Sequence, residues 1–485
     1  MPLRPQLPDY VLEYTRAIAA AGGRALIVGG YVRDTLLGLD SKDYDFEVSG
    51  LDMDQLEQVL RRFGEVITVG RTFGVLMLKS QQHIDFSVPR RDNKVGRGHA
   101  DFRCEFDPHM SFADAARRRD LTMNSMGLDP LTGEIIDPHG GQRDLAARRL
   151  RATDPASFGE DPLRAVRVAQ FRARFEMEPD AELAKLCAEI SLDDLSGERL
   201  WTELEKLFLK SRRPSLGLEF LRTTGLLRFF PELAAMVDVP QDPIWHPEGD
   251  VWVHTMLVVD EAARARTGVV ADDLLLLYGA LCHDIGKPLT TFTDAEGRVR
   301  SPNHEPEGVT PALQFLARLR APRQFSEQVG LLVRYHLAPA TLPKQDSSPR
   351  AYRRLARRLG AGQISLEFLW RLARADHFGR TTPDALAREF PAGDAFLAMS
   401  KGLRIAAAAP RDVVLGRHLL ERGLQPGPAI GVILDRCREI QDETGSENAS
   451  EILDAALGES SLTEYLALGR ERALARRARG HRPDK

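Results

Sequence analysis

Cysteine is scarce. There are four in 485 residues (Cys104, Cys187, Cys282 and Cys437), and none stands in a CxxC spacing. That excludes a disulfide framework and a zinc ribbon, and it fits a reducing compartment. No apolar run reaches the length that spans a bilayer, and the opening MPLRPQLPDY has no apolar signal region. A protein without a membrane segment, placed in the cytoplasm, is expected. Positive charge is not in excess either: the formal net charge is −4. A wholly basic nucleic-acid coat is excluded, but local basic patches are not. What is present is 43% hydrophobic and 28% charged residues, the balance of a globular chain. The length suggests about three to four domains.

The chain is organised around Ala25 to Gly50, ALIVGGYVRDTLLGLDSKDYDFEVSG. Ala25 to Val28 suit a buried strand. Gly29-Gly30 allow a sharp turn and a close approach to a ligand, since neither has a Cβ. Tyr31 to Leu37 predict a short helix whose first amides can face a phosphate. Asp43 to Val48 return as a strand, so Asp43 and Asp45 point to one face. Two carboxylates beside a phosphate-holding turn suit a pair of Mg²⁺ ions on a nucleoside triphosphate. Taken alone, a DxD is more often plain surface. The whole pattern, GG-x-VRD-x-LLG followed by DxD, closely resembles the nucleotidyltransferase motif of class II tRNA nucleotidyltransferases, the family of CCA-adding enzymes and bacterial poly(A) polymerases.

Around this stretch the chain reads as α+β up to about residue 150. Helices are expected over Val11 to Ala21 and Asp54 to Phe63. Strands are expected over Glu65 to Val69, Val75 to Leu78 and His83 to Val88. Asp85, between Ile84 and Phe86, is either a third carboxylate of the metal site or an edge residue facing water. Pro89 to Pro108 is charged and weakly periodic and reads as a flexible loop. The resemblance associates a segment here with the switch to adding A, and its full length argues against an enzyme that stops after CC. Ser111 and Asp114 mark a helix start. Arg119-Asp120, closing Arg117-Arg118-Arg119-Asp120, resembles the family's RRD motif. It implies an Arg119 contact to triphosphate or ribose and an Asp120 that orients the sugar. Ile135 to Asp144 resembles the strand and turn that close the catalytic domain.

Asp161-Pro162 is a good helix start in its own right. Arg164 and Arg167 follow three and six residues later and share much of one face with Asp161. This matches the family's ED-x-x-R-x-x-R motif, which reads the incoming base with side chains. Cytosine and adenine both offer an amino donor beside a ring-nitrogen acceptor. The Asp161 carboxylate suits the first and the Arg164 guanidinium the second, with Arg167 assisting. Uracil and guanine would present a carbonyl to the carboxylate. Relatives often carry another arginine where this chain has Gln170. From Ala181 to about Leu233 the chain is helical, and Leu200, Leu204, Leu207, Leu218 and Leu221 read as core.

A second constellation follows. His254 (VWVHTM), His283-Asp284 (ALCHDIGKP) and Asp376 (RARADHFGR) form the H…HD…D signature of HD-type metal phosphohydrolases. His304 and His336 stand at the spacing of two-metal HD domains. Lys287 either holds a phosphate or caps a helix. Residues 401 to 460 resemble the tRNA-facing segment of the family, and the basic tail from Gly469 either contacts phosphates or is a solvated end.

The expected architecture is a nucleotidyltransferase-type mixed sheet with helices over residues 1–150, a helical neck and body over 151–240, an all-α HD domain over 241–400 and a helical region over 401–485. Gly29, Gly30 and Arg33 would hold the triphosphate. The resemblance implies CMP and AMP transfer from CTP and ATP to the tRNA 3′ end. Mg²⁺ would sit in the first site, and another divalent metal would serve an HD activity on 2′- or cyclic phosphates. An A-adding enzyme, a poly(A) polymerase, and an HD phosphohydrolase with a nucleotide-binding N-terminal domain remain alternatives at this point.

Overall fold

The computed structural model describes residues 7–69, 74–94, 102–459 and 462–479. The chain divides into two compact units, one over residues 1–235 with 318–321, the other over 236–317 with 322–485.

The first unit opens with α1 (Asp9–Ala20), β1 (Arg24–Val28), α2 (Gly30–Leu36) and β2 (Tyr44–Ser49). Then come α3 (Met53–Leu60), β3 (Val66–Val69), β4 (Val75–Leu78) and β5 (Gln81–Ser87). Asp52 caps α3 by accepting from Gln55 N in a full capping box, which is why the helix starts there. The main sheet has seven strands in the order β3-β4-β5-β2-β1-β8-β9, where β8 is Gly127–Leu128 and β9 is Ile135–Ile136. β2 runs antiparallel to β1 and parallel to β5. Phe46 and Phe86, on those neighbouring parallel strands, stack face to face with ring centres 5.0 Å apart in the core behind the sheet.

The expected loop after residue 89 differs from the structure. β6 (Arg90–Lys94) and β7 (Phe102–Phe106) pair as an antiparallel ribbon, and the segment 95–101 between them lies outside the described residues. The charged first strand hid the signal, while Phe102, Cys104 and Phe106 alternate at the period of a strand. α4 (Phe112–Ala116) begins at Ser111, whose hydroxyl accepts from Asp114 N as the sequence suggested. α5 (Gly141–Ala146) closes the head.

Helices complete the unit: α6 (Leu163–Phe175), α7 (Ala181–Glu189), α8 (Gly197–Lys210) and α9 (Ser215–Thr223). The five periodic leucines are all buried. Gly217 on α9 lies so close to α6 that a Cβ there would stand 2.5 Å from the carbonyl oxygen of Ala169, so these two helices pack backbone to backbone.

The second unit is almost wholly helical. Helices Val251–Arg264, His304–Arg318 and Leu366–Phe378 carry His254, His304 and Asp376, while His283 with Asp284 and His336 directly follow the helices Val270–Cys282 and Arg323–Tyr335. A separate core closes the C-terminal part, built on Leu419, Ile433, Ile440, Leu453 and Tyr465. The last described helix reaches Arg479, so the final residues of the basic tail lie outside the described residues. Among the described residues, no helix is long and apolar enough to cross a membrane.

Candidate functional sites

In the first unit the carboxylates are set by strand register. Asp45 of β2 stands opposite Asp85 of β5, and Asp43 immediately precedes β2. Burial raises the Asp45 carboxyl above its ordinary value; Arg119 opposes this and the charge of Asp43 adds to it. Burial also raises Asp85, followed by repulsion from Asp45 and Asp43. Asp43 and Asp45 are exposed and Asp85 is half-buried, and carboxylates that repel one another at so short a spacing form a donor set that a hard divalent cation would relieve.

The glycine turn lies beside them. Gly29 has φ +73°, and a Cβ there would stand 2.9 Å from Nη1 of Arg119 and 3.9 Å from Oδ2 of Asp45. The turn therefore needs glycine both for its backbone and for the space. A cavity of about 630 Å³ opens over this corner, and Gly29, Gly30, Asp45, Asp120, Asp161 and seven arginines line it. Nε of Arg119 is buried with no hydrogen-bond partner among the described residues, a donor turned toward no protein acceptor. Such a cavity suits a polyanion with an organic ring attached.

The sequence did not show how these arginines are held. Glu47 is buried on β2, and its Oε2 lies 3.2 Å from Arg118 Nη2 and 3.8 Å from Arg119 Nη2. Its signal was present: Asp43, Asp45 and Glu47 alternate along one strand face. Arg33 lines the cavity, but its guanidinium bonds Asp34 at 2.7 Å and Asn124 Oδ1 at 2.7 Å and lies over the Phe175 ring. In this state Arg33 braces the turn. Asp120 is likewise occupied: it accepts from Arg167 Nε at 2.7 Å, Asn124 Nδ2 at 2.8 Å and Leu121 N at 2.7 Å. Burial would raise its carboxyl, but Arg167 and these hydrogen bonds prevail and hold it at about 2.

Asp161 and Arg164, the pair expected to read the base, sit at the start of α6. Asp161 accepts from Leu163 N at 3.1 Å, so it does cap the helix. Both its oxygens also receive Nη2 of Arg199 on α8, at 3.0 and 2.9 Å. Arg164 donates to the carbonyls of Ser157 at 2.8 Å and Arg118 at 2.6 Å. These bonds leave spare lone pairs on Asp161 and spare N–H groups on Arg164. The two side chains are thus fixed in place and still able to meet a base edge. Arg199 carried no sequence signal, because its partner lies 38 residues away. Gln170 is buried, and its Nε2 has no hydrogen-bond partner among the described residues.

In the second unit all six expected residues converge. The Nδ1 atoms are engaged outward: His254 on Glu248 at 2.8 Å, His283 on the Ala280 carbonyl at 2.8 Å, His304 on the Ser301 carbonyl at 2.8 Å, and His336 on the Val333 carbonyl at 2.7 Å. Each ring therefore carries its proton on Nδ1 and turns the Nε2 lone pair inward. Nε2 of His254 and Nε2 of His283 face each other at 3.3 Å, and those of His304 and His336 at 3.4 Å. Lone pairs opposed in this way fit a cation between them.

Asp284 joins the two pairs. Its Oδ2 lies 3.2 Å from His283, and its Oδ1 lies 3.3 Å from His304. Asp376 Oδ1 lies 3.1 Å from His254. The donors form two overlapping groups, His254–His283–Asp284 and Asp284–His304–His336, which share Asp284 and could each hold a divalent ion. Burial, the largest cause, takes His336 down to about 3, so its ring is neutral near pH 7 and its Nε2 could serve a metal. Lys287 Nζ lies 2.7 Å from Asp284 Oδ2 and donates to Gln241 Oε1 at 2.6 Å, beside the shared carboxylate. Glu248, from a turn rich in proline and glycine, was not legible in the sequence as the residue that orients His254.

The fold and the two sites define a nucleotidyltransferase-type head followed by a helical metal-binding unit. Residues 25–151 match the poly A polymerase head domain, and residues 174–237 match the probable RNA and SrmB-binding site of polymerase A. Residues 251–378 match the HD domain. The fold of this chain is that of the CCA-adding enzymes. The Bacillus stearothermophilus CCA-adding enzyme in complex with CTP is 20% identical, with 94% of this chain and 98% of that one covered and a TM-score of 0.61. The Thermotoga maritima CCA-adding enzyme complexed with tRNA is 18% identical, with 94% and 96% covered and a TM-score of 0.58. Both domain families work with divalent metals.

Proposed function

We propose that this chain is a cytoplasmic tRNA nucleotidyltransferase that adds CMP and AMP from CTP and ATP to the tRNA 3′ end, and that its HD unit hydrolyses 2′- or cyclic phosphates. One observation supports the first part: Asp45, the Gly29 turn and the fixed pair Asp161 and Arg164 line one cavity of the head, with Asp85 opposite Asp45 and Asp43 two residues before it. Solved relatives of the same fold are described in complexes with CTP, with ATP and with tRNA.

In this reading Asp43 and Asp45 hold Mg²⁺, with Asp85 beside them to accept the proton of the attacking hydroxyl. Mg²⁺ held there would supply neutralisation of the triphosphate charge and of the attacking and leaving oxygens. The tRNA 3′-hydroxyl oxygen bonds to the α-phosphorus, the bond to the β-phosphate oxygen breaks, and pyrophosphate leaves. Arg119 receives the triphosphate charge. Asp161 accepts from the amino group of C or A while Arg164 donates to the ring nitrogen. Arg199 keeps Asp161 aimed, and Arg167 with Asp120 keeps α6 against the arginine wall. In the HD unit, His254, His283, His304, His336, Asp284 and Asp376 would hold divalent metal, which would supply an acidified water for attack on phosphorus.

The test is incorporation on three tRNAs, ending at the discriminator base, after C and after CC, with CTP and ATP separately and together. Addition of CCA to the shortest tRNA, stopping there, is expected. A single A added only to the CC-ended tRNA would make the chain the A-adding half of a pair, and long A tails would make it a poly(A) polymerase.

A further inference from the structure

Beside the His/Asp cluster of the second unit lies another cavity, of about 380 Å³, to whose wall His336 and Asp376 themselves contribute. Its other wall is apolar, with Ile244, Trp245 and Phe390. Ile244 is 75% exposed and Trp245 56%, which leaves a large π-face in water at the mouth of a metal-ligand cluster. Lys344 and Arg380 flank it, and so does the carboxylate of Asp384, which lines the same cavity. Lys344 Nζ lies 5.8 Å from the centre of the Trp245 ring, and Arg380 Nη2 lies 3.5 Å from Asp376 Oδ1.

The segment that carries Trp245 is tied down at both ends. Glu248 bonds His254 at 2.8 Å and accepts from Thr381 N at 3.1 Å. Gln241 accepts from Lys287 and donates to the Asp250 carbonyl at 3.0 Å. Within the turn, Ile244 N donates to Asp242 Oδ1 at 2.9 Å and Trp245 N to the Asp242 carbonyl at 3.1 Å. The ring is therefore presented to the cavity by the same contacts that orient a metal ligand and the lysine beside the shared carboxylate.

We propose that this cavity is a nucleoside pocket. Trp245 stacks on the base of a nucleoside phosphate whose phosphoryl group lies at the His/Asp cluster, and Arg380 and Lys344 offset its charge. An inorganic or small organic phosphate needs only the metals and cations, whereas a base explains the exposed indole. Stacking tolerates every base, so Trp245 selects nucleosides over other phosphates and does not choose among bases. The inference rests on the phosphohydrolase reading of the HD unit.

The test uses the full chain with Mg²⁺, Mn²⁺ or Zn²⁺ in turn. It reads the ratio of kcat/KM for adenosine 2′-phosphate to that for ribose 5-phosphate, which has no base. Trp245→Ala lowers this ratio about tenfold, the loss of one base–aromatic stack, and Trp245→Phe restores most of it. Binding is read separately as quenching of tryptophan fluorescence by adenosine 2′-phosphate, which Trp245→Phe abolishes. A ratio unchanged in Trp245→Ala, or a quench that survives Trp245→Phe, overturns the pocket. If neither substrate is cleaved but the quench depends on Trp245, the pocket stands and the phosphohydrolase reading falls.

Discussion

Asp120 and Arg167 show how the head holds its arginines with buried charge. Removing the guanidinium strands a carboxylate that has almost no contact with water, so Arg167→Ala should destabilise the first unit by about 3 kcal/mol, measured by urea unfolding at neutral pH. The pH dependence follows from the sign of the shift. The folded carboxyl sits at about 2, below the ordinary value of about 3.9 of an unfolded chain. Its stabilisation is complete above the unfolded value and is lost as the pH falls from there toward 2. Asp120→Asn should flatten that fall in unfolding curves taken between pH 5 and pH 2. Glu248 plays a comparable part in the second unit through His254. Glu248→Ala should free that imidazole to take the other tautomer and weaken metal binding by about 10- to 100-fold, read by titration calorimetry. An effect confined to stability, with metal affinity unchanged, would show that Glu248 does not orient the ligand.

Among the elements, helix crossings decide whether the ligands meet. A Cβ on Gly286, two residues after Asp284, would stand 2.1 Å from the His304 carbonyl oxygen and 2.6 Å from Gly308 N. No flexible side chain can yield there; the start of helix His304–Arg318 must move. Gly286→Ala should therefore pull His304 from Asp284 and lower the metal stoichiometry of the second unit from two to one, as elemental analysis would count it. Retention of two ions would refute the close crossing. This glycine stood in the sequence within HDIGKP, and the six His and Asp residues of the cluster were legible there as an H…HD…D signature with two further histidines, whereas His246 and Glu248, which group with His254, were not. The ribbon Arg90–Lys94 with Phe102–Phe106 was missed because its first strand offers no apolar alternation. Arg199 and Glu248 were missed for another reason: each acts through a hydrogen bond that only the tertiary fold creates, and neither position has a spacing to betray it.

At the scale of the whole molecule, the chain puts two metal chemistries in two separate compact units. Asp45 and Asp85 belong to a sheet, where strand register sets them side by side, and Asp43 stands just before the strand of Asp45. The histidines belong to helices and to the residues that end them, where outward carbonyls and Glu248 set the tautomers. The donor chemistry differs accordingly: oxygen alone suits Mg²⁺ with a triphosphate, while imidazole with carboxylate suits a firmly held transition metal. No residue proposed for one site serves the other. Asp43→Ala should therefore abolish nucleotide transfer and leave hydrolysis of adenosine 2′-phosphate intact, and His283→Ala or Asp284→Ala should do the reverse, with both activities assayed on the same preparations. Each variant then serves as the folding control for the other. Loss of both activities in a folded Asp43→Ala protein would mean that the two centres share a reaction, with the HD unit acting on tRNA ends only as the head engages them.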